Sequence, residues 1–304
     1  MTDGILPVFK ERGFTSFDVV AKLRGIFSQK KIGHTGTLDP EATGVLVVCL
    51  GKATKLVDML TEERKTYEAH MLAGRETDTQ DIWGNTLKES GVCISPEEVR
   101  TALFSFVGEY NQIPPMYSAL KMNGKKLYEL AREGKEVERQ PRKVHIYNVD
   151  MIEEFNPASN EAVFSVSCSK GTYIRTLIHD AGVKLGCGAC MSALKRTEAA
   201  GFCLEDCVSL SQLREAKEAG TLGDLVIPVE RVFEHLPRLV VKEEADRLLK
   251  NGNKIFTEML YNEYNREVPE MSQNRMYRVY NYKGRFCAVY EMTDEGLKIK
   301  YNFM

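Results

Sequence analysis

A loop of small and turn-forming residues runs directly into the longest apolar stretch of the chain. The loop, Gly-His-Thr-Gly-Thr-Leu-Asp-Pro, spans residues 33–40, and the apolar stretch spans residues 45–50. Because these six residues fall far short of the about 20 that cross a membrane, they predict a buried strand or the start of a buried helix. Asp39 would then lie at the mouth of the core, where carboxylates act as nucleophiles or general bases. The simpler alternative is that Asp39 only closes a turn before Pro40.

The length and composition are those of an ordinary globular protein of about two domains. The 304 residues are 43% apolar and 28% charged, which excludes a disordered, fibrous or collagen-like chain. The sequence from Met1 onward lacks the basic and apolar regions of a signal peptide, and the eight cysteines are scattered. We therefore expect a cytoplasmic protein with free thiols and no membrane segment.

Helical and strand patterns are mixed along the chain without a strict βαβ rhythm. An amphipathic helix is expected to follow Ser16, a residue suited to the N-cap. Further strands are predicted at 65–72, 142–152 and 162–168, and further helices at 96–106, 128–133, 173–185 and 209–219. This mixture predicts an α+β fold with a mixed, largely antiparallel sheet.

A domain boundary is expected near residues 227–237, so that the chain divides into domains 1–232 and 233–304. The second of these is expected to be small and β-rich. Its predicted elements are a helix at 242–251, strands at 276–281 and 285–291, and a hairpin turn at Tyr282-Lys283-Gly284.

The net charge of −2 means that any affinity for nucleic acid must come from local basic patches. Residues 10–35 carry six basic and two acidic side chains, and residues 112–145 carry eight basic and four acidic ones. Solvated helix faces are the more common explanation of runs this mild, so charge alone does not indicate a partner.

Four cysteines approach the spacing of a zinc ribbon. They form two pairs, Cys187-x2-Cys190 and Cys203-x3-Cys207. A zinc-dependent RNA-binding protein is therefore one hypothesis, although incidental buried cysteines are the more common explanation of such pairs.

A series of short blocks follows the loop at 33–40 in fixed order between residue 10 and about residue 205. The blocks are Lys-Ile-Gly-His-Thr-Gly-Thr-Leu-Asp-Pro-Glu-Ala-Thr-Gly-Val-Leu at 31–46, Gly-Lys-Ala-Thr-Lys at 51–55, Lys-Thr-Tyr at 65–67, Gly-Arg-Glu-Thr-Asp-Thr at 74–79, Pro-Pro-Met-Tyr-Ser-Ala-Leu-Lys at 114–121, Ala-Arg-Glu-Gly at 131–134, Cys-Ser-Lys-Gly-Thr-Tyr-Ile-Arg-Thr at 168–176 and Leu-x-Arg-Thr at 194–197. The ordered set resembles the TruB family of tRNA pseudouridine synthases. Glu11 departs from the proline usual in the family, and Cys190 from a histidine, which weakens a zinc role for Cys190.

The resemblance implies a pseudouridine synthase fold, with helices flanking the mixed central sheet and a small PUA-like RNA-binding domain at residues 233–304. It implies conversion of uridine to pseudouridine at position 55 in the TΨC loop of tRNA, without cofactor or metal. The expected partner is the T-arm stem-loop, bound by a monomer. The alternatives are a pseudouridine synthase with a different RNA target and a non-catalytic RNA-binding protein or tRNA chaperone.

The resemblance also assigns roles to individual residues. Asp39 would be the nucleophile, by attack at C1′ or C6 or by a glycal route, with Arg175 gripping it through two nitrogens. Tyr67, also implied to be catalytic, would stack on the target base and place its hydroxyl near C5, where a proton has to be lost. The implied substrate-binding residues are His34, Tyr173, Leu194, Lys10, Gly36 and Thr37, together with Lys121, Lys125, Lys126 and Arg132 in a basic insertion at 112–143 that would contact phosphates.

Overall fold

The computed structural model describes residues 1–122, 124–262 and 272–304, and strands dominate the described part. The strands are β1 (Gly4–Lys10), β2 (Ile32–His34), β3 (Thr43–Leu50), β4 (Lys65–Ala73), β5 (Arg75–Thr77), β6 (Thr86–Glu89), β7 (Gly108–Gln112), β8 (Lys121–Met122), β9 (Lys125–Lys126), β10 (Arg142–Asn156), β11 (Glu161–Cys168), β12 (Ala189–Ala199), β13 (Phe202–Cys203), β14 (Arg238–Val241), β15 (Leu260–Asn262), β16 (Met276–Tyr280), β17 (Phe286–Thr293) and β18 (Gly296–Asn302). The α-helices are α1 (Ser16–Phe27), α2 (Val57–Glu62), α3 (Pro96–Phe104), α4 (Leu127–Arg132), α5 (Ile174–Leu185), α6 (Leu210–Ala219) and α7 (Asp246–Lys250). In this described part, no helix is long and apolar enough to cross a membrane.

The central sheet has the strand order β1-β3-β12-β4-β11-β10-β7, with β2 paired to β3 and β13 paired to β12. Across the described residues its pairs are antiparallel, except for the parallel pair of β3 and β12. Helices α3 and α5 pack beside this sheet. The predicted α+β class and the mixed, largely antiparallel sheet are confirmed.

The apolar stretch at 45–50 forms most of β3, a strand buried on both faces. Val45, Val47 and Cys49 pack in one apolar cluster, and Leu46 and Val48 pack in another on the opposite face. Because both faces are covered, this stretch of β3 is apolar throughout and lacks the alternation of apolar and polar residues that marks a half-exposed strand. The start of β3 pairs with β12 at Thr43 and Gly44, which places the end of the preceding loop beside β12.

Helix α1 begins one residue away from the predicted cap. The N-cap is Thr15, whose hydroxyl accepts from the backbone N–H of Asp18, while the Asp18 carboxylate accepts from the N–H of Thr15. This reciprocal arrangement satisfies two N–H groups at once, which a cap at Ser16 could not do here. Ser16 is instead buried, and its Oγ accepts from the N–H of Leu38 at 2.9 Å.

The C-terminal part of the chain forms a second sheet with the order β15-β14-β16-β17-β18, which is the expected small β-rich, PUA-like element. The predicted helix at 242–251 is shorter than expected: a 3-10 turn occupies Glu243–Ala245 and α7 follows it. The predicted hairpin turn at 282–284 is present, closed by a hydrogen bond from Gly284 N to Asn281 O.

The two sheets are joined by an apolar cluster. Val289 of β17 and Phe303, which follows β18, pack in the same cluster as Val45 and Val47 from β3. Phe233, which precedes the second sheet, lies with its ring centroid 6.0 Å from that of Phe303. Burial of these side chains therefore depends on both sheets.

We expect a protein truncated after residue 237 to lose most of its soluble yield, because the deletion exposes the cluster around Phe233 and β3 to water. The soluble fraction after expression measures this. A milder variant, Phe303→Ala, removes one buried ring and should lower the stability by about 3–5 kcal/mol. A soluble truncated protein that melts cooperatively at the temperature of the full chain would contradict the expectation.

Candidate active site

The loop that carries Asp39 is held by backbone contacts on both sides. Leu38 is fixed by the buried Ser16 hydroxyl, and the carbonyl of Pro40 accepts from Gly13 N at 2.9 Å and from Lys10 Nζ at 3.1 Å. The carbonyl of Asp39 closes a turn by accepting from Ala42 N. The Asp39 side chain itself remains 42% exposed. A carboxylate is therefore presented to solvent from a backbone that is fixed around it.

Arg175 in α5 supplies the positive charge beside Asp39. Its Nε lies 2.9 Å from Asp39 Oδ2, and its side chain is 5% exposed. The terminal nitrogens donate to the carbonyls of Thr79 and Tyr117, at 2.8 and 2.9 Å. The expected grip through two nitrogens is therefore wrong: one nitrogen meets the carboxylate, because the other two hold neighbouring loops.

A second carboxylate, which the sequence analysis did not identify, faces the same arginine. Asp81 Oδ2 lies 3.8 Å from Arg175 Nη1, and Asp81 Oδ1 accepts from the Thr79 hydroxyl at 2.6 Å. Burial raises the pKa of Asp81, while Thr79 and Arg175 act in the opposite direction. The two carboxylates and Arg175 thus form a connected group. The nearest sequence signal for Asp81 was the block at 74–79, which ends two residues before it.

Tyr67 lies on β4, directly opposite Arg196 of β12. Tyr67 is buried in the same apolar cluster as Leu38, and this burial raises the pKa of its hydroxyl. Arg196 is also buried, and it donates to Val45 O at 2.7 Å and to Gly36 O at 3.1 Å. The arginine therefore ties the Asp39 loop to β3, a role not deduced from the sequence.

Close packing around Arg196 requires a glycine in β3. Gly44 has φ +105°, and a Cβ at this position would lie 2.2 Å from the carbonyl oxygen of Arg196. The parallel register pairs these two residues directly. Gly44 thus allows the loop end of β3 to approach β12.

Leu194 and Tyr173 border the same region from two different elements. Leu194, on β12, belongs to the apolar cluster that contains Tyr67 and Leu38. Tyr173 immediately precedes α5, and the buried side chain of Gln112 holds it by accepting from its N–H at 2.8 Å and donating to its carbonyl at 3.0 Å. Gln112 was not identified from the sequence.

His34, Gly36 and Thr37 lie at the start of the Asp39 loop. His34 ends β2, and its Nδ1 accepts from the N–H of Gly36 at 3.3 Å. Burial, with Arg196 nearby, lowers the pKa of His34. Thr37 is exposed. The structure therefore brings these three residues to the Asp39 loop, where they can contact a bound ligand.

Lys10 is not placed where a substrate phosphate could reach it. The side chain is fully buried, and its Nζ donates to the carbonyls of Glu11, Phe14 and Pro40. Burial lowers the pKa of Lys10 to about 8. The substrate-binding role expected for Lys10 is therefore wrong. Lys10 instead holds together the loop after β1 and the Asp39 loop, because their backbone carbonyls take all three of its donors.

The basic insertion forms a small projecting unit of the β8–β9 hairpin and α4. Lys121, Lys125 and Arg132 are exposed, and Lys126 is half-buried. Lys125 pairs with Glu133 at 3.0 Å, and the guanidinium of Arg132 lies 5.5 Å from the ring centroid of Tyr128. Residue 123 lies outside the described residues. The four basic side chains sit together on this unit, apart from the apolar cluster around Tyr67.

The four cysteines of the zinc hypothesis do not meet. Cys190 pairs with Leu72 near one end of β12, whereas Cys203 pairs with Glu198 near the other end. Within the described residues, no group of three or more cysteine, histidine or carboxylate side chains is arranged to hold a metal ion. The spacing of the two cysteine pairs therefore does not correspond to a shared site.

Comparison with known proteins gives matches along nearly the whole chain. The sequence model of the TruB family pseudouridylate synthase N-terminal domain matches residues 24–174, and that of the tRNA pseudouridylate synthase B C-terminal domain matches residues 175–234. Proteins called tRNA pseudouridine synthase B from Clostridium perfringens and Lachnoclostridium phytofermentans are 43% and 46% identical, over 98% and 96% of both chains.

Solved structures agree with these matches. A chain of a Cbf5-Nop10-Gar1 complex is similar with a TM-score of 0.71 and 27% identity, over 99% of this chain and 84% of that one. A chain of an H/ACA RNP bound to a substrate RNA containing 2′-deoxyuridine has a TM-score of 0.70 and 25% identity, over 99% and 85%. The expected pseudouridine synthase fold is confirmed, and the chain belongs to the TruB family of pseudouridylate synthases.

Proposed function

We propose that the protein converts the uridine at position 55 in the TΨC loop of tRNA to pseudouridine, with Asp39 as the nucleophile. The observation that carries the proposal is the half-exposed Asp39 carboxylate, 2.9 Å from the buried Arg175 on a fixed loop. The relatives named tRNA pseudouridine synthase B support tRNA as the substrate. We expect a monomer that acts in the cytoplasm without a guide RNA or a partner protein.

The reaction breaks the bond between N1 of uracil and C1′ of ribose and joins C1′ to C5 of the same base. Nothing is oxidised, and only a proton is exchanged, so a positioned carboxylate can carry the central step without a redox or group-carrying cofactor. The buried Arg175 guanidinium places a positive charge 2.9 Å from the Asp39 carboxylate, which favours the anion that has to react. The remaining exposed part of Asp39 is the part that faces an incoming nucleotide.

The target uridine has to leave its stack before Asp39 can reach it, which costs a few kcal/mol. In the proposal, Tyr67 and Leu194 receive the base, and Tyr173 borders the same pocket. Aromatic and apolar contacts of this kind offset the cost of extruding a base. His34, Gly36 and Thr37 would contact the RNA next to the extruded nucleotide.

The basic unit formed by β8, β9 and α4 supplies phosphate contacts in this proposal. Replacing Lys125 and Lys126 together by alanine should weaken tRNA binding and reduce the slope of log affinity against log salt by up to about two units. Turnover at saturating RNA should change much less, since Lys125 contacts Glu133 and Lys126 contacts Tyr128 rather than Asp39. Binding titrations at several salt concentrations measure the slope.

A variant that should strengthen tRNA binding, rather than weaken it, tests the same contacts. Glu133 pairs with both Lys125 and Lys135, so Glu133→Gln should free two ammonium groups and tighten tRNA binding. The gain should be small, about two- to five-fold, because exposed ion pairs are weak. If the double lysine variant and Glu133→Gln both leave the salt slope unchanged, the unit does not face phosphates.

The direct test of the proposed function is pseudouridine mapping. Unmodified tRNA transcript is incubated with the purified protein alone, and pseudouridines are located before and after. Conversion at position 55 supports the proposal. Conversion at another position would indicate a different RNA target, and binding without conversion would indicate the non-catalytic alternative.

A further inference from the structure

The sole tryptophan of the chain is presented beside the proposed active site. Trp83 lies in the loop between β5 and β6 and is 39% exposed. Its backbone N–H donates to Asp81 Oδ1 at 3.2 Å, and Asp81 is the second carboxylate facing Arg175. Trp83 therefore follows Asp81 by two positions in the chain and is hydrogen-bonded through its backbone to the group formed by Asp39, Asp81 and Arg175.

The loop that carries Trp83 is preorganised by hydrogen bonds within the protein. The backbone and side-chain amide nitrogens of Asn85 both donate to the carboxylate of Asp78, at 2.8 and 2.9 Å. Ile82 N donates to Met191 O at 3.0 Å, which ties the loop to β12. A binding residue on such a loop loses little conformational freedom when a ligand binds.

Arg12, in the loop between β1 and α1, places a positive charge next to the indole. Its guanidinium carbon lies 5.1 Å from the centroid of the Trp83 ring, within the range of a cation–π contact. The carboxylate of Glu41, two residues after Asp39, accepts from Arg12 Nε. The side chain of Arg12 is 61% exposed. A planar aromatic surface and an accessible guanidinium thus lie together at the rim of the site.

We propose that Trp83 and Arg12 bind an unpaired RNA base and its phosphate next to the extruded uridine. The inference rests on the proposed function, since it assumes an RNA substrate. Extruding one nucleotide leaves its neighbour without a stacking partner, and an indole face offers a replacement to any base. The guanidinium adds a charge and a planar set of donors that suit a phosphate. The pair would help to keep the RNA loop open while Asp39 reacts.

The intrinsic fluorescence of Trp83 tests this contact directly, because the chain contains one tryptophan. Asp39→Asn protein, used to prevent turnover, is titrated with a synthetic T-arm stem-loop. We expect the tryptophan emission to be quenched on binding. In a series of stem-loops that each carry one abasic site in the loop, one site other than position 55 should abolish the quenching. Unchanged emission at saturating RNA would overturn the proposal.

Two variants separate stacking from a structural role of the indole. Trp83→Leu keeps an apolar side chain but has no aromatic face and should weaken stem-loop binding by about ten-fold, whereas Trp83→Phe should stay within about three-fold. The abasic stem-loop identified by fluorescence should bind wild type and Trp83→Leu equally. If Trp83→Leu only destabilises the loop, it should lower the affinity for every stem-loop alike, and that result would overturn the stacking contact. An affinity of Trp83→Leu within two-fold of wild type would overturn it as well.

The experiments distinguish a failure of this inference from a failure of the proposed reaction. If the wild-type protein fails to convert tRNA while the fluorescence and abasic-site results hold, the proposed reaction fails and the base-binding surface stands. If conversion occurs and the tryptophan emission does not respond, the proposed reaction stands and the base-binding surface fails.

Arg12→Gln provides the matching test of the phosphate contact. It should reduce the slope of log affinity against log salt by about one unit, and an unchanged slope removes Arg12 from the proposal.

Discussion

Asp39→Asn is expected to lower turnover by at least about a thousand-fold, to a background level, while tRNA affinity stays within a few-fold of wild type. The substitution removes the charge and the nucleophilic oxygen but keeps the size of the side chain. The turn before Pro40 should survive, because the main-chain carbonyl of Asp39 closes it by accepting from Ala42 N. Single-turnover conversion of tRNA and a binding titration measure the two quantities separately.

The same experiment decides between the two interpretations of Asp39. If the residue only closes a turn, asparagine should serve almost as well, and turnover should stay within a few-fold. A matched control is Asp58→Asn, at an exposed carboxylate in the first turn of α2. The control should leave turnover within about two-fold. Comparable turnover in Asp39→Asn and wild type would refute the proposed mechanism, whatever the family of the chain.

Local sequence was enough to identify the loop of Asp39, because the features that build the loop are contiguous. Small residues, a proline and a following apolar strand all lie between 33 and 50. The buried strand was also predictable, since six consecutive apolar residues have to be buried away from water on both faces of an element. The error at the N-terminus of α1 was a single residue, where the reciprocal bonds of Thr15 and Asp18 outweighed the propensity of Ser16.

Contacts between residues far apart in the chain could not be predicted in the same way, although the family resemblance named Arg175 itself. Arg175 bonds to Thr79 across 96 positions, and Arg196 bonds to Gly36 across 160. The contact of Arg196 depends on the pairing of β3 with β12, and that of Arg175 on the packing of α5 against the sheet, neither of which a short motif encodes. For the same reason Lys10 was expected to bind substrate, although the two loops fold over it and take its three donors.

Arg175→Lys is expected to lower turnover by about a hundred-fold while leaving tRNA affinity within about three-fold of wild type. Arginine uses three nitrogens here, one toward Asp39 and two toward the carbonyls of Thr79 and Tyr117. A lysine ammonium concentrates its donors at one point and cannot span these partners. At least one buried carbonyl then lacks a donor, at a cost of about 1–3 kcal/mol, and the Asp39 loop loses its fixed relation to α5.

The split between turnover and affinity is what identifies Arg175 as a positioning residue. Its side chain is 5% exposed, so RNA has little access to it, and a binding defect would not follow from its loss. The effect should therefore appear in single-turnover rates at saturating tRNA, accompanied by a lower melting temperature. Arg64→Lys is a matched control, because Arg64 is exposed and its nearest carboxylate, on Glu198, lies 3.9 Å away. That variant should keep wild-type turnover and melting temperature. An Arg175→Lys protein with turnover within three-fold of wild type would mean that a single positive charge suffices, and that the contacts with Thr79 and Tyr117 do not position Asp39.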